Sequence, residues 1–339
     1  MGPVVTVTLN PAIDRTVWVD ELVPGTTHRT ADARTTIGGK GINVARTVAR
    51  LGAPVIALGI TGEDQAPSLE QHLAAVGVRS RFLSTPGETR TNLKLIEQAT
   101  GRLTEINGSG PRVSADLIAA MEAELLSTVE HEGAAVVVLA GSLPVGIEPS
   151  VYAQWTRRLG ALDAPVRVLV DASDEALELV VGAQPLVLKP NRIEAERLVG
   201  HAIVGDDGRE AAAEITALGP RGVLLSLGPR GAAAAWGGET VSLPARPIQI
   251  REGHLVTTVG AGDAMVARLA VELAGQSEGE IGAATFFEMC RLAVAEAEAH
   301  IAEGAADTPV VSEPTGDGGR PVPPGAFSTE LGVRPMSKS

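Results

Sequence analysis

Ala135-Val-Val-Val-Leu-Ala140 is an apolar run of strand length with no polar alternation, and it ends on Gly141-Ser-Leu-Pro144. A strand apolar on both faces is covered on both faces, the condition of a parallel strand between two layers of helices. Mostly apolar runs recur at Val4–Leu9, Val55–Ile60, Val166–Val170, Leu186–Leu188 and Val223–Leu227. Many are followed by Gly, Asp or Asn and then by a helical pattern, so the fold class is α/β with a mostly parallel central sheet. Two segments break the rhythm, one near Arg15–Thr36 and one at Arg90–Asn107. In the second, Leu93 and Leu95 face one way while Asn92 and Lys94 face the other. They predict a small antiparallel β lid, with strands at about 12–36 and 90–107, of the kind that keeps water from a reaction.

Composition narrows the function. Of 339 residues, 28 are Lys or Arg and 41 are Asp or Glu, a formal net charge of −13. Such a surface repels phosphate polymers and anionic lipid unless positive charge is gathered locally, which argues against nucleic-acid and membrane partners. The longest charge-free stretch, Gly133 to Ile147, is interrupted by Gly, Ser and Pro and is too short to span a bilayer. Cys290 is the only cysteine, which excludes an internal disulfide and any multi-cysteine metal site. The N-terminus has no basic region or small-residue cleavage site, and a cytoplasmic protein is expected. From Gly304 to Ser339 the chain is rich in Pro and Gly with almost no periodicity. This predicts an ordered domain over 1–303 and a disordered tail over 304–339.

Six places in the chain could carry chemistry. In Thr257-Thr-Val-Gly-Ala-Gly-Asp263, small residues at a helix start let backbone N–H groups converge on an anion, and Asp263 could take a proton from a hydroxyl aimed at it. A plain helix entry with an acidic first turn would look the same. In Ile37-Gly-Gly-Lys-Gly-Ile-Asn43, paired glycines permit close backbone approach, and Lys40 and Asn43 could hold a phosphate and sugar hydroxyls; an ordinary strand-to-helix turn is the alternative. Asp14, just past the first strand, is placed to take neighbouring hydroxyls of a polyol or merely to cap the Asn10-Pro11 turn. The same placement applies to Gly141-Ser142, to Asp171 and to Lys189-Pro-Asn-Arg-Ile-Glu194. There Asn191 and Glu194, one helical turn apart, could orient water on Mg²⁺ or simply start a helix. No Gly-x-x-x-x-Gly-Lys-[Ser/Thr], Gly-x-Gly-x-x-Gly, His-Glu-x-x-His or Gly-x-Ser-x-Gly motif is present.

Taken in order, these residues resemble the PfkB (ribokinase-like) carbohydrate kinases, and within them the 1-phosphofructokinase and tagatose-6-phosphate kinase branch. The likeness runs from about Val4 to about Ala270. It rests on Thr8-Leu-Asn-Pro-Ala-Ile-Asp14, Pro24-Gly25 with Arg29, Gly38-Gly-Lys-Gly-Ile-Asn-Val-Ala-Arg46, Thr89-Arg-Thr-Asn-Leu-Lys94, Thr104-Glu-Ile-Asn107, Gly141-Ser-Leu-Pro144, Lys189-Pro-Asn191 with Glu194, Ser226-Leu-Gly228 with Gly231, and Thr258-Val-Gly-Ala-Gly-Asp263. The resemblance implies a three-layer ribokinase-like sandwich that moves the γ-phosphoryl group of ATP, with Mg²⁺, to a hydroxyl of a phosphorylated sugar. Asp263 is then the base and Gly260, Ala261 and Gly262 the anion hole. Asp14, Gly39 and Asn43 contact the sugar hydroxyls. Arg90, Lys40, Arg29, Asn92 and Lys94 hold the phosphate already on the substrate, with Ser142 nearby. Lys189, Asn191 and Glu194 form the triphosphate and Mg²⁺ region, and Ser226, Gly228 and Gly231 the nucleotide side. Relatives also suggest a homodimer through the lid.

The chain departs from the family pattern on the nucleotide side. Arg268 stands where Ala or Gly is usual, and Val294-Ala-Glu-Ala-Glu-Ala-His300 replaces a run of small residues, so Glu296 and Glu298 are expected to disturb an apolar purine face. The expected reaction converts fructose 1-phosphate to fructose 1,6-bisphosphate. Fructose 6-phosphate, tagatose 6-phosphate, a cyclitol phosphate, or a non-catalytic sugar-phosphate sensor are the alternatives.

Overall fold

A computed structural model of the chain describes residues 1–30, 33–98, 100–163, 166–205, 207–250, 258–277, 279, 281–306 and 334–335. The chain opens with β1 (Val4–Thr8), β2 (Ala12–Val19), β3 (Ala33–Gly38), α1 (Lys40–Arg50), β4 (Val55–Gly62), α2 (Ala66–Ala75) and β5 (Arg79–Thr85). Then come β6 (Arg90–Glu97), β7 (Leu103–Asn107), α3 (Ala115–Glu132), β8 (Val136–Gly141), α4 (Val151–Gly160), β9 (Arg167–Ala172) and α5 (Asp174–Val181). It continues with β10 (Val187–Leu188), α6 (Arg192–Val199), α7 (Arg209–Ala217), β11 (Gly222–Ser226), β12 (Ala232–Trp236), β13 (Glu239–Leu243) and β14 (Gln249–Ile250). Last are α8 (Ala261–Gly275), α9 (Ala283–Ala306) and β15 (Arg334–Pro335).

The apolar runs form a nine-stranded sheet in the order β13-β12-β11-β10-β9-β8-β1-β4-β5. Pairing is parallel from β11 to β5, with Val5 beside Ile56 on one side and Val137 on the other. β12 and β13 add as antiparallel edge strands. Successive side chains enter opposite layers. Val5 and Val7 pack with Met121, Leu125, Tyr152, Trp155, Leu177 and Ile215, which come from α3, α4, α5 and α7. Val4 packs in the other layer with Ile42, Val48, Leu69, Leu73, Leu269 and Phe286, from α1, α2, α8 and α9. This is the three-layer arrangement, and it explains why the central strands do not alternate. Each Val or Leu withdrawn from water stabilises the fold by about 1.5–3 kcal/mol before entropy is counted.

The lid is a second sheet in the order β3-β2-β6-β7. Its outer pairs, β2–β3 and β6–β7, are antiparallel as expected, and a parallel β2–β6 pairing joins them. That register sets Asp14 between Thr36 and Asn92. The lid thus brings the two polar segments to the carboxyl ends of β1 and β8, where α1 and α8 also begin. Arg334–Pro335 pairs parallel with Gln249–Ile250. Helix α9 continues to Ala306, and most of the stretch expected to be a disordered tail lies outside the described residues. Among those described, no helix is long and apolar enough to cross a membrane.

Candidate active site

Two helix starts face each other across the cleft. Gly39, the N-cap of α1, has φ +125°, and a Cβ there would lie 3.0 Å from Thr8 Cγ2 and 3.2 Å from the Pro11 Cα. Only glycine takes that backbone in that space, and it carries Lys40 and Asn43 into the first turn. Gly260, the N-cap of α8, has φ +84°. The turn behind it is closed by the Ala261 N–H on the Thr258 carbonyl at 3.1 Å and the Ala264 N–H on the Gly260 carbonyl at 2.9 Å. Asp263, in the first turn of α8, is 8% exposed and accepts a hydrogen bond from Asn43 Nδ2 at 2.8 Å. Burial, then the charge of Asp171, pushes its pKa up to about 6, against the pull of Asn43, Lys40 and Lys189. A carboxylate at that value is largely ionised at neutral pH yet basic enough to take a proton.

Asp171 is the charge hub. It lies near the end of β9 at 1% exposure, accepts from Lys40 Nζ at 3.0 Å and lies 3.4 Å from Lys189 Nζ. Burial works against the Lys40 charge, but Asp171, with Glu194 and Asp263, outweighs it and holds the ammonium above its usual range. Lys189 Nζ also sits 3.6 Å from the point a Cβ on Gly262 would occupy, beside the start of α8. The other oxygen of Asp171, Oδ2, is buried without a hydrogen-bond partner.

At the lid end, Asp14 Oδ1 accepts from Asn92 Nδ2 at 2.9 Å and its Oδ2 from Lys94 Nζ at 2.7 Å. A side chain on Gly38 would collide with this carboxylate, since its Cβ would fall 2.5 Å from Oδ2. Lys94 therefore shares its charge with Asp14 before any substrate arrives. Arg90 gives one Nη1 hydrogen bond to the Gly108 carbonyl at 3.2 Å, while its Nε is buried and unpartnered. Burial lowers its pKa, opposed by Asp14, and a guanidinium nonetheless keeps its charge.

At the other end, Asn191 caps α6 by accepting the Glu194 N–H at 2.9 Å, and Glu194 Oε2 accepts the Asn191 N–H at 2.8 Å. The helix-start alternative for this pair is thus present, with Glu194 keeping its second oxygen. Ser226 runs alongside Asn191 in an isolated parallel bridge and donates its N–H to the Pro190 carbonyl at 3.0 Å. Gly228 and Gly231 follow in a tight turn. At Gly231, φ is +94° and a Cβ would meet the Leu243 carbonyl at 2.1 Å. One cleft of about 840 Å³ joins both ends and is lined by Asp14, Gly39, Lys40, Asn43, Arg90, Asn92, Lys94, Lys189, Asn191, Ser226, Gly228, Gly231, Gly260, Ala261, Gly262 and Asp263. Arg29 is exposed in the β2–β3 connection, Ser142 accepts from Asn10 Nδ2 at 3.4 Å, and Glu194 is buried at the start of α6; none of the three lines the cleft.

Residues 5–313 match the pfkB family carbohydrate kinase profile. The chain is 38% identical over 316 residues to a 1-phosphofructokinase of Xanthomonas campestris, covering 89% of this chain and 95% of that one. It is also 38% identical over 276 residues to a 1-phosphofructokinase of Rhodobacter capsulatus, covering 78% and 82%. The chain belongs to the pfkB family of carbohydrate kinases. Its fold is shared with the phosphofructokinase-2 of Escherichia coli solved in complex with fructose-6-phosphate, at TM-score 0.77 and 28% identity over 91% of this chain and 98% of that one.

Against the pfkB pattern, the departures on the nucleotide side are absorbed by local partners. Arg268 Nε lies 2.8 Å from Glu272 within α8, at 29% exposure, a charge pairing without hydrogen-bond alignment. Glu296 turns to Arg50 on α1 and does not line the cleft. Glu298 does line it, but spends Oε1 on the Arg246 N–H at 2.6 Å. The expected disturbance of the purine face therefore falls away for Glu296 and is limited to one oxygen of Glu298. Sequence reasoning reached Asp171 only through its place after a strand and missed its pairing with Lys40 and Lys189; an aspartate near the end of a buried strand, with one lysine starting a helix and another just past a neighbouring strand, is the signal that could have found it.

Proposed function

We propose that this kinase transfers a phosphoryl group from ATP to a hydroxyl of a phosphorylated sugar, converting fructose 1-phosphate to fructose 1,6-bisphosphate. The observation that carries the reading is Asp263, buried at the start of α8 and held by Asn43 in the same cleft as the Arg90–Lys94–Asp14 cluster. A base at one position and cations at another suit a substrate with a free hydroxyl at one end and a phosphate at the other. The names of the relatives support fructose 1-phosphate as the acceptor, and fructose-6-phosphate bound by the E. coli phosphofructokinase-2 supports a sugar phosphate in this fold.

Asp14, held by Asn92 and Lys94, accepts sugar hydroxyls, and Asn43 fixes Asp263 so that one carboxylate oxygen meets the attacking hydroxyl. Arg90 offers its unpartnered Nε to the resident phosphate. Phosphoryl transfer passes through a loose transition state, so Asp263 orients the hydroxyl and takes its proton late. The N–H groups of Gly260 and Gly262, with Lys40 and Lys189, face the charge spread over the transferring group, whereas the Ala261 N–H, expected in the same hole, is spent on the Thr258 carbonyl. A Mg²⁺ ion fits the donor set. Asp171 Oδ2 and the second oxygen of Glu194 are hard carboxylate oxygens without protein partners at those atoms, and Mg²⁺ uses one or two carboxylates beside phosphate and water. When bound, the ion supplies charge neutralisation on the nucleotide phosphates. A lid strand edge, β7, offers a pairing surface for a homodimer.

The test is ADP release with Mg·ATP across fructose 1-phosphate, fructose 6-phosphate, tagatose 6-phosphate, fructose and a phosphorylated cyclitol, with Asp263→Ala as blank. Turnover of fructose 1-phosphate well above the others, and none in the variant, is expected. Turnover of none of them by folded protein would refute the reading in favour of a sensor.

A further inference from the structure

The wall of the cleft passes into α8 through Val259 and Gly260, both of which line it. The carbonyl of Val259 lies 3.0 Å from His300 Nε2, on α9. A carbonyl only accepts, so this Nε2 carries its hydrogen whether the ring is neutral or charged. The same ring fills the space beside Gly260, where a Cβ would lie 2.8 Å from Nε2 and 3.3 Å from Cε1. One half-buried imidazole thus grips two consecutive residues of the turn.

The grip has a geometric consequence. In a trans peptide the carbonyl of one residue and the N–H of the next lie on opposite sides of the chain, and the described backbone has no cis peptide. Tying down the Val259 carbonyl therefore fixes the direction of the Gly260 N–H on the side away from His300. Gly260 has no side chain and sits at φ +84°, so its own torsions restrain that peptide weakly. An outside clasp is what such a peptide needs if it is to stay preorganised. Two residues earlier on α9, Glu298 accepts the Arg246 N–H at 2.6 Å, so the helix also holds the wall that leads into the turn.

We propose that His300 is a positioning residue of the anion hole, holding the Val259–Gly260 peptide so that the Gly260 N–H meets the transferring phosphoryl group. The proposal rests on the kinase reading of the cleft. Its cost when removed falls on the transition state, because the ground-state contacts to the sugar are made by Asp14, Asn43 and Arg90 on other elements.

The test compares wild type, His300→Ala, His300→Gln and the surface control His201→Ala. kcat, KM and melting temperature are measured, together with the affinity for Mg·ADP plus fructose 1-phosphate with and without aluminium fluoride as a planar phosphoryl mimic. His300→Ala is expected to lose roughly 10- to 100-fold in kcat with the sugar-phosphate KM little changed. The tightening produced by aluminium fluoride should fall by a similar factor. His300→Gln, which can still donate an N–H, should recover much of both, and His201→Ala should match wild type. If His300→Ala melts below the assay temperature, His300→Phe keeps the ring volume without the N–H and should show the same loss. Unchanged kcat in these variants, or equal loss in His300→Gln and His300→Ala, overturns the proposal. Wild-type protein inactive on every phosphosugar, and no different from Asp263→Ala, instead sinks the kinase reading and the proposal with it.

Discussion

Asn43 Nδ2 donates to Asp263 Oδ2 at 2.8 Å across 220 residues of sequence, joining the first turns of α1 and α8. The bond favours the charged carboxylate, while burial and Asp171 favour the neutral acid, and the balance leaves Asp263 near 6. If Asp263 is the base, kcat falls as the pH drops through that value. Removing the Asn43 donor raises the pKa further, so Asn43→Ala should move the acid limb of the kcat profile to higher pH. Asp171→Asn removes a raising charge and should move it to lower pH. Limbs that coincide with wild type in both variants would disconnect Asp263 from the rate.

Stability should report the same carboxylate independently of turnover. The folded pKa of Asp263 is raised above its ordinary 3.8, so its protonated form is favoured by folding, and this group's own contribution to stability is most favourable below about pH 4 and is lost as the pH rises to about 6. Asp263→Asn escapes that cost. It should raise the unfolding free energy at pH 8 by on the order of 3 kcal/mol and change it little at pH 4. Urea titrations of both proteins at the two pH values would check it, and an equal difference at both would show that the carboxylate is not titrating as described.

Much of this was legible in the chain. The runs beginning at Val4, Val55, Ala135 and Val223 became β1, β4, β8 and β11 because a strand buried on both faces has nowhere to put polar residues. The run Leu186–Leu188 yields only Val187–Leu188 as strand, and the Lys189 N–H still donates to the Val170 carbonyl of β9 at 3.0 Å while its side chain reaches Asp171. The parallel β2–β6 pairing was not legible, because the partners are separated by β3, α1, β4, α2 and β5 and hairpin spacing cannot signal it. Glu296 and Arg268 looked disruptive because a sequence shows a charge without its partner; Arg50 and Glu272 supply what was missing. Lys94 read as a free cation for the same reason, until β2 set Asp14 beside it.

Arg90 carries a buried Nε with no partner and a single bond to the Gly108 carbonyl. An unsatisfied charged donor is costly, and a bound phosphate relieves it. Arg90→Ala should raise KM for the sugar phosphate by roughly 100-fold while kcat at saturation falls less. Inorganic phosphate should raise the melting temperature of wild type and leave that of Arg90→Ala unmoved. A KM within about threefold of wild type would take the phosphate contact away from this residue.

Glu194 has two jobs in this geometry, and a single substitution separates them. Its Oε2 closes the capping box by accepting the Asn191 N–H, a role that glutamine also fills. Under the proposed function its second oxygen is the one offered to Mg²⁺, and there the charge matters because Mg²⁺ prefers anionic oxygen ligands. Glu194→Gln should therefore keep the melting temperature of wild type while raising the Mg²⁺ concentration needed for half-maximal turnover by about tenfold or more. Asn191→Ala, which breaks the cap, should cost about 1 kcal/mol of stability. The decisive pair of measurements is a thermal melt without metal and a Mg²⁺ titration of ADP release. A lowered melting temperature with an unchanged titration would assign Glu194 to the helix cap alone.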